Sequence, residues 1–313
     1  MKSKLTLPFV WSQDSSEIKS LPELLKTEEK SIKQLLFANG AILFKSFGID
    51  NALKLEESVN AFSGKSLDYV EGNSPRTKIH GKVYTSTEHP PEEFISLHNE
   101  LSYGSKWPSY IFFCCAIPAL SGGSTSVADS RTILAELSEN TRNAFKEKGV
   151  EYIRNLHGGY GSGPSWQDTF ETTEKSDVEK YCSENDIIFN WNDEGGLRLI
   201  QKRKAIIEHP VTNEEVWFNQ ADQFHPSTNK REVYEALVEI YEDDPKSMPQ
   251  YATFCDGDEI PLEMLEEVRS VAEKNTVNFK WEKGDFMLVD NILTAHGRTP
   301  FEGPRKILVS MSL

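Results

Sequence analysis

The chain has 313 residues, 38% of them hydrophobic and 27% charged, with a formal net charge of -15. That length lies near the upper size for one hydrophobic core, so a single domain over 1–313 with a sizeable insertion is expected, and the composition excludes a disordered chain. An acidic surface without clustered Lys and Arg excludes nucleic acid as a partner, and no apolar run approaches the ~20 residues of a bilayer span.

The opening MKSKLTLPFVW has neither the length nor the cleavage site of a secretory leader. Cys114, Cys115, Cys182 and Cys255 show no CxxC spacing. A reducing, cytoplasmic setting is therefore the expectation, without a disulfide framework or zinc cluster. SIKQLLFAN carries apolar residues at helical spacing, Gly40 can cap its end, and AILFKSF follows as a buried strand. NALKLEESVNAF reads as a second amphipathic helix. GNSPRTKIHGKVYTSTEHPP is so rich in turn formers that it reads largely as loop, with KVYTST as its one short strand.

That loop runs into His98-Asn99-Glu100. Two strand-like runs follow, SYIFFCCAI and STSVAD, then the helices SRTILAEL and NTRNAFKEKG, the latter ending at Gly149. Adjacent strand residues point to opposite faces, so Cys114 and Cys115 read as small core residues. From about 150 to 220 short strands alternate with loops: VEYIRN, DIIFNW, LRLIQK, KAIIEH and EEVWFN. Two acidic helices follow, KREVYEALVEIY and LEMLEEVRSVAEK, read as solvated on their outer faces. The chain closes with FKW, DFMLVD, a loop holding His296, and the terminal strand KILVSMSL. Helices before and within a strand-rich body predict a mostly β fold with α, a double-stranded β-helix (jelly roll) with flanking helices and a helical insertion at roughly 130–280.

The chemistry concentrates in three places. On a strand, side chains at i and i+2 share a face, so His98 and Glu100 can aim a nitrogen and an oxygen at one point. His296 in DNILTAHGR supplies a third ligand. Two histidines and one carboxylate on one side of a metal form the facial triad of non-haem Fe(II), with positions left open for substrate and oxygen. GGST with Thr125, and AHGRTPFEGPR with Arg305, add a hydroxyl and a guanidinium suited to a dicarboxylate.

With those motifs in view, GAILFKSF, LHNELSY, GGSTSVADSR and DNILTAHGRTPFEGPRKILVSM, the chain resembles the taurine dioxygenase-like Fe(II)/2-oxoglutarate-dependent oxygenases over most of its length. Within that family it is most similar to the branch of syringomycin-type amino-acid hydroxylases. The resemblance implies Fe(II), 2-oxoglutarate and O2, with His98, Glu100 and His296 on iron and Thr125 and Arg305 on the distal carboxylate. Arg298 is the competitor for that clamp. In halogenating relatives a small residue replaces the carboxylate ligand, so Glu100 points to hydroxylation, with succinate and CO2 released. A small amino acid or amino-acid-derived metabolite is the expected substrate. A carrier-tethered form is the second choice, because an acidic carrier would meet an acidic chain whose one compact basic run is QKRK at 201–204.

Other residues take secondary places. Asn99 and Asn291 adjoin the ligands and are candidates to orient them. Arg76 is a candidate for a substrate carboxylate, Tyr84 and Thr87 for the pocket wall, and Asn219 and His225 in VWFNQADQFHP for the substrate side. His80, His89, His157 and His209 read as surface or loop histidines. Two other readings remain open: a metal-dependent hydrolase or isomerase on a jelly roll, which needs neither Thr125 nor Arg305, and a non-catalytic small-molecule-binding β-barrel.

Overall fold

The structure is a computed structural model, described here for residues 6–12, 20–72, 76–161 and 163–313. The start of the MKSKL segment, and residues 73–75 of the long loop, lie outside the described residues.

Alternation along the strand Tyr110–Ile117 divides two apolar layers. Phe112 and Cys114 face one side, where they meet Leu36, Leu55 and Val59 from the helices Glu29–Asn39 and Ala52–Ser63. Ile111, Phe113 and Cys115 face the other side, against Val127. The two adjacent cysteines thus enter opposite layers, as small core residues. Burying Phe112 completely commits about 3–5 kcal/mol against truncation to Ala.

The strand lies within a seven-stranded sheet whose spatial order is Phe9–Ser12, Ala41–Lys45, Phe286–Asp290, Tyr110–Ile117, Lys306–Ser312, Val83–Thr85, Lys78–His80. Facing it is a four-stranded sheet in the order Val277–Asn278, Thr125–Asp129, Thr294–Arg298, Ile95–His98. The ring of Phe113 crosses from the first sheet to within 5.4 Å of the His296 ring in the second. Local signals position the flanking helices. Gly40, at φ +80, ends Glu29–Asn39 and returns its N–H to Leu36 O, and the Asn51 side chain caps the N-terminus of Ala52–Ser63.

Three expectations are corrected. The segment at 130–280 is not simply a helical insertion, because Ile188–Trp191, Leu197–Arg203, Val150–Leu156 and Gln250–Phe254 form a further four-stranded sheet with its own apolar core against the helices. His296 is not in a loop. It is the middle residue of the strand Thr294–Arg298, which the glycine at 297 made unrecognisable as a strand. His209 lies in a loop, as one of the two settings read for it, but is buried rather than at the surface, with Nε2 3.1 Å from Asp290 Oδ2. The architecture is mixed α/β, and among the described residues no helix is long and apolar enough to cross a membrane.

Candidate metal centre

The strand Thr294–Arg298 organises the site through its two neighbours. On one side His296 stands opposite His98, and on the other Arg298 stands opposite Thr125. The pairing with Ile95–His98 shifts register between His296 and Arg298. Gly297 lies at that irregularity, where an added Cβ would come within 2.4 Å of Ile95 O, so only glycine lets the two backbones approach.

Glu100 reaches the same point by another route. Its strand ends at His98, so the pleat does not orient the carboxylate; a turn does, with Leu101 in the left-handed region at φ +56. Asn291 holds that turn in place. Its Oδ1 accepts from Glu100 N at 2.7 Å, and its Nδ2 donates to Glu100 O at 3.0 Å and Pro108 O at 2.9 Å. Asn99 Nδ2 donates in turn to Asn291 O at 2.6 Å and to Ser130 Oγ at 3.2 Å. Both asparagines therefore fix the backbone around Glu100 rather than touching the histidines.

One ligand atom from each of His98, Glu100 and His296 lies within 4.8 Å of the others. The imidazole centroids are 4.5 Å apart, and His296 Nε2 is 3.7 Å from Glu100 Oε2. His98 Nδ1 is 2.9 Å from Ser96 O, and a proton there leaves the lone pair on Nε2 for a metal. Gln223 Nε2, donating to Ser96 O and Ser96 Oγ, also lies 3.2 Å from His98 Nδ1.

Electrostatics hold the three groups in their metal-binding forms. Burial pushes the His98 imidazole below its ordinary value. His296 is driven down to about 3 by burial and by its neighbour His98, so both rings are neutral. Burial alone would raise Glu100, but the Arg76 guanidinium, through its charge and its hydrogen bond, holds it well below the usual carboxylate range, at about 2. Arg76 Nη2 donates to Glu100 Oε2 at 2.7 Å and lies over the Tyr69 ring. Neutral nitrogens and a buried carboxylate, with His296 Nδ1 left without a partner in the interior, form a donor set that fits Fe(II).

A narrow cavity runs from His98 and His296 to Thr125, Arg298 and Arg305, with Phe113 in its wall. Thr125 Oγ1 accepts from Trp281 Nε1 at 3.0 Å, which leaves its proton free to donate into the cavity. The two arginines differ. Arg298 spends Nη1 on His89 O and Nη2 on Pro90 O and Glu93 O, fastening the 89–93 loop. Arg305 immediately precedes the strand Lys306–Ser312. It spends only Nε, on Gly123 O at 2.9 Å, among the described residues, so the outer edge of its fork is open. Burial and the nearby Arg298 lower it to about 10, still a full cation at neutral pH.

A wider cavity opens on the other side of His98 and Glu100, between Tyr69, Ile95, Gln223 and Val233. The remaining candidates from the sequence fall elsewhere. Tyr84 is a core residue whose hydroxyl accepts from Tyr69 N. Asn219 donates to Ala205 O and borders a separate apolar chamber behind the metal-bearing sheet. His225 packs against Tyr234 and Tyr251 with Nδ1 on Ser227. Thr87 does line the narrow cavity. Sequence reasoning missed Gln223, Phe113 and Trp281. Of these only Trp281, in FKW just before DFMLVD, left a signal, as an aromatic outside any periodic run.

Comparison with known proteins places these features in context. The family model of taurine catabolism dioxygenase TauD, TfdA matches residues 4–311. The chain is 36% identical over 280 residues to the dapdiamide synthesis protein DdaC of Enterobacter agglomerans, covering 90% of this chain and 84% of that protein. It is 30% identical over 308 residues to a clavaminate synthase-like protein of Arabidopsis thaliana, covering 93% and 88%. Among solved structures, PvcB of Pseudomonas aeruginosa superposes with a TM-score of 0.56 at 13% identity, covering 96% of this chain and 84% of that one.

Proposed function

The chain belongs to the taurine catabolism dioxygenase TauD, TfdA family and is an Fe(II)- and 2-oxoglutarate-dependent dioxygenase, and on that premise we propose that it hydroxylates an unactivated C–H bond of a small amino acid or amino-acid-derived metabolite. The facing seven- and four-stranded sheets serve as the two walls of a jelly roll, and the whole of 1–313 acts as one domain. In this reading His98, Glu100 and His296 hold the iron, while Thr125 and Arg305 grip the distal carboxylate of 2-oxoglutarate. Iron and 2-oxoglutarate, when bound, would supply the activation of O2, which is the oxidant, with 2-oxoglutarate oxidised to succinate and CO2. The protein's own work is positional. The Asn291 brace fixes Glu100, the Trp281 bond aims the Thr125 hydroxyl, and the wider cavity brings the substrate carbon up beside His98 and Glu100.

The observation that carries the proposal is that two imidazoles converging with the Glu100 carboxylate also line a cavity that holds the open guanidinium of Arg305. A hydrolase does not require that guanidinium, and a passive binding barrel does not require the metal ligands. The amino-acid class of substrate draws support from similarity to a protein of dapdiamide synthesis, which suits a biosynthetic small molecule. The test is a screen of free amino acids and related metabolites for substrate-stimulated succinate release with Fe(II) and 2-oxoglutarate, with anaerobic samples as control. Succinate formation that depends on oxygen and on one class of amino acid supports the proposal. Release that no amino acid or derivative stimulates contradicts it.

A further inference from the structure

We infer that Arg76 is a second carboxylate clamp of the co-substrate pocket, taking the keto-acid carboxylate at the metal end while Arg305 and Thr125 hold the far end. The inference rests on the oxygenase reading above. Its starting point is where the side chain faces. Arg76 lines the narrow cavity together with Thr125 and Arg305, and it is absent from the described residues that wall the wider substrate cavity. The sequence alone suggested a substrate carboxylate for this arginine, and the position of the side chain redirects it to the co-substrate.

The hydrogen bonding of Arg76 also calls for an anion. Its side chain is only 6% exposed, yet among the described residues Nη2 alone has a partner, Glu100 Oε2, while Nε and Nη1 are buried with none. Leaving such donors unsatisfied in the interior costs stability unless a ligand completes them. The face of the guanidinium lies 4.1 Å from the Tyr69 ring centroid, so the plane of the fork is held and its edges stay available. Charge argues the same way. Among the described residues Glu100 is the one carboxylate paired with Arg76, and Arg298 and Arg305 are bonded to backbone carbonyls, so adding a ferrous ion leaves an excess of positive charge in a buried site. A keto-diacid dianion offsets two of those charges, with a guanidinium at each end.

The experiment titrates 2-oxoglutarate, and separately 2-oxobutyrate, which lacks the distal carboxylate, into the Mn(II)-loaded full chain by calorimetry, with no primary substrate present. Mn(II) affinity is measured on the same preparations by electron paramagnetic resonance. Arg76→Gln is expected to weaken both keto acids by about tenfold or more while preserving their ratio, and Arg76→Lys to recover part of the loss. Arg305→Gln is expected to weaken 2-oxoglutarate alone and so collapse the preference between the two. Wild-type affinity for both keto acids in Arg76→Gln would overturn the inference and return the residue to the substrate or to Glu100. Loss of Mn(II) binding in both Arg76 variants would also overturn it, by showing that the arginine serves the carboxylate ligand only. A wild-type protein that binds Mn(II) but no 2-oxoglutarate would instead sink the oxygenase reading on which the inference rests.

Discussion

Asn291 holds Glu100 by both of its backbone groups, accepting from the amide at 2.7 Å and donating to the carbonyl at 3.0 Å across 191 residues of chain. The carboxylate at the metal centre is therefore aimed by a bridge between the turn after Ile95–His98 and the turn after Phe286–Asp290. Asn291→Ala leaves the two Glu100 groups and Pro108 O buried without partners, and the expected cost is about 2–4 kcal/mol of stability. The same variant is expected to bind Mn(II) at least tenfold more weakly, in line with the usual effect of removing an orienting partner. Chemical denaturation and a metal titration on one preparation check both, and unchanged metal affinity would show that Glu100 keeps its aim without the bridge.

Arg305 and Arg298 share a cavity but differ in what they have already spent. Arg305→Gln is expected to raise the dissociation constant for 2-oxoglutarate by about tenfold or more with metal affinity intact, since one charge-assisted pair is lost. Arg298→Gln releases three backbone carbonyls of the 89–93 loop and is expected to increase proteolytic nicking there, with a smaller effect on 2-oxoglutarate. The reverse ranking of the two affinities would move the clamp to Arg298.

Trp281 reaches the pocket only through Thr125. Trp281→Phe keeps most of the apolar contact with Phe279 but removes the indole N–H that fixes the Thr125 hydroxyl. A loss of about 1 kcal/mol in 2-oxoglutarate binding, roughly fivefold, is expected. If the double variant with Thr125→Val lost no more than Thr125→Val alone, the two residues would be acting as one unit.

His225 gives the fold a dependence on pH that is separate from the metal centre. Burial and the facing Arg269, itself paired with Asp222, push its imidazole down to about 4, and the rings of Tyr234 and Tyr251 close over it. The unfolded chain takes up the proton below about pH 6.5, whereas the folded chain resists it until about 4. Stability is therefore full above the unfolded value and is lost as pH falls across that window, by about 1–3 kcal/mol. His225→Asn is expected to flatten this part of the profile, as read from denaturation midpoints at pH 7, 6, 5 and 4. A variant with the wild-type slope would assign the acid sensitivity to other groups.

Much of this site was legible because its residues carry chemistry that strands and caps do not ask for. An imidazole and a carboxylate two apart stand out in the stretch leading to the apolar run YIFFCCAI, and Thr125 and Arg305 each follow a glycine by two residues, Gly123 and Gly303. Helix ends such as Gly40 and Gly149 were equally plain, because capping is local. What stayed hidden is set by long-range pairing. The strand Thr294–Arg298 contains a glycine and three charged or polar side chains, so nothing local marks it as extended; its partners do. The choice between Arg298 and Arg305 turns on which carbonyls each one meets, and the direction of Arg76 on which side of Glu100 its loop lies. Neither can be read from spacing.

The central claim is that His98, Glu100 and His296 hold one ferrous ion. The most direct test is anaerobic Fe(II) stoichiometry on the wild-type chain and on folded His98→Ala and His296→Ala variants. The account predicts one tightly bound iron per wild-type chain and its loss in both variants with the fold retained. Full iron content in either variant would contradict it.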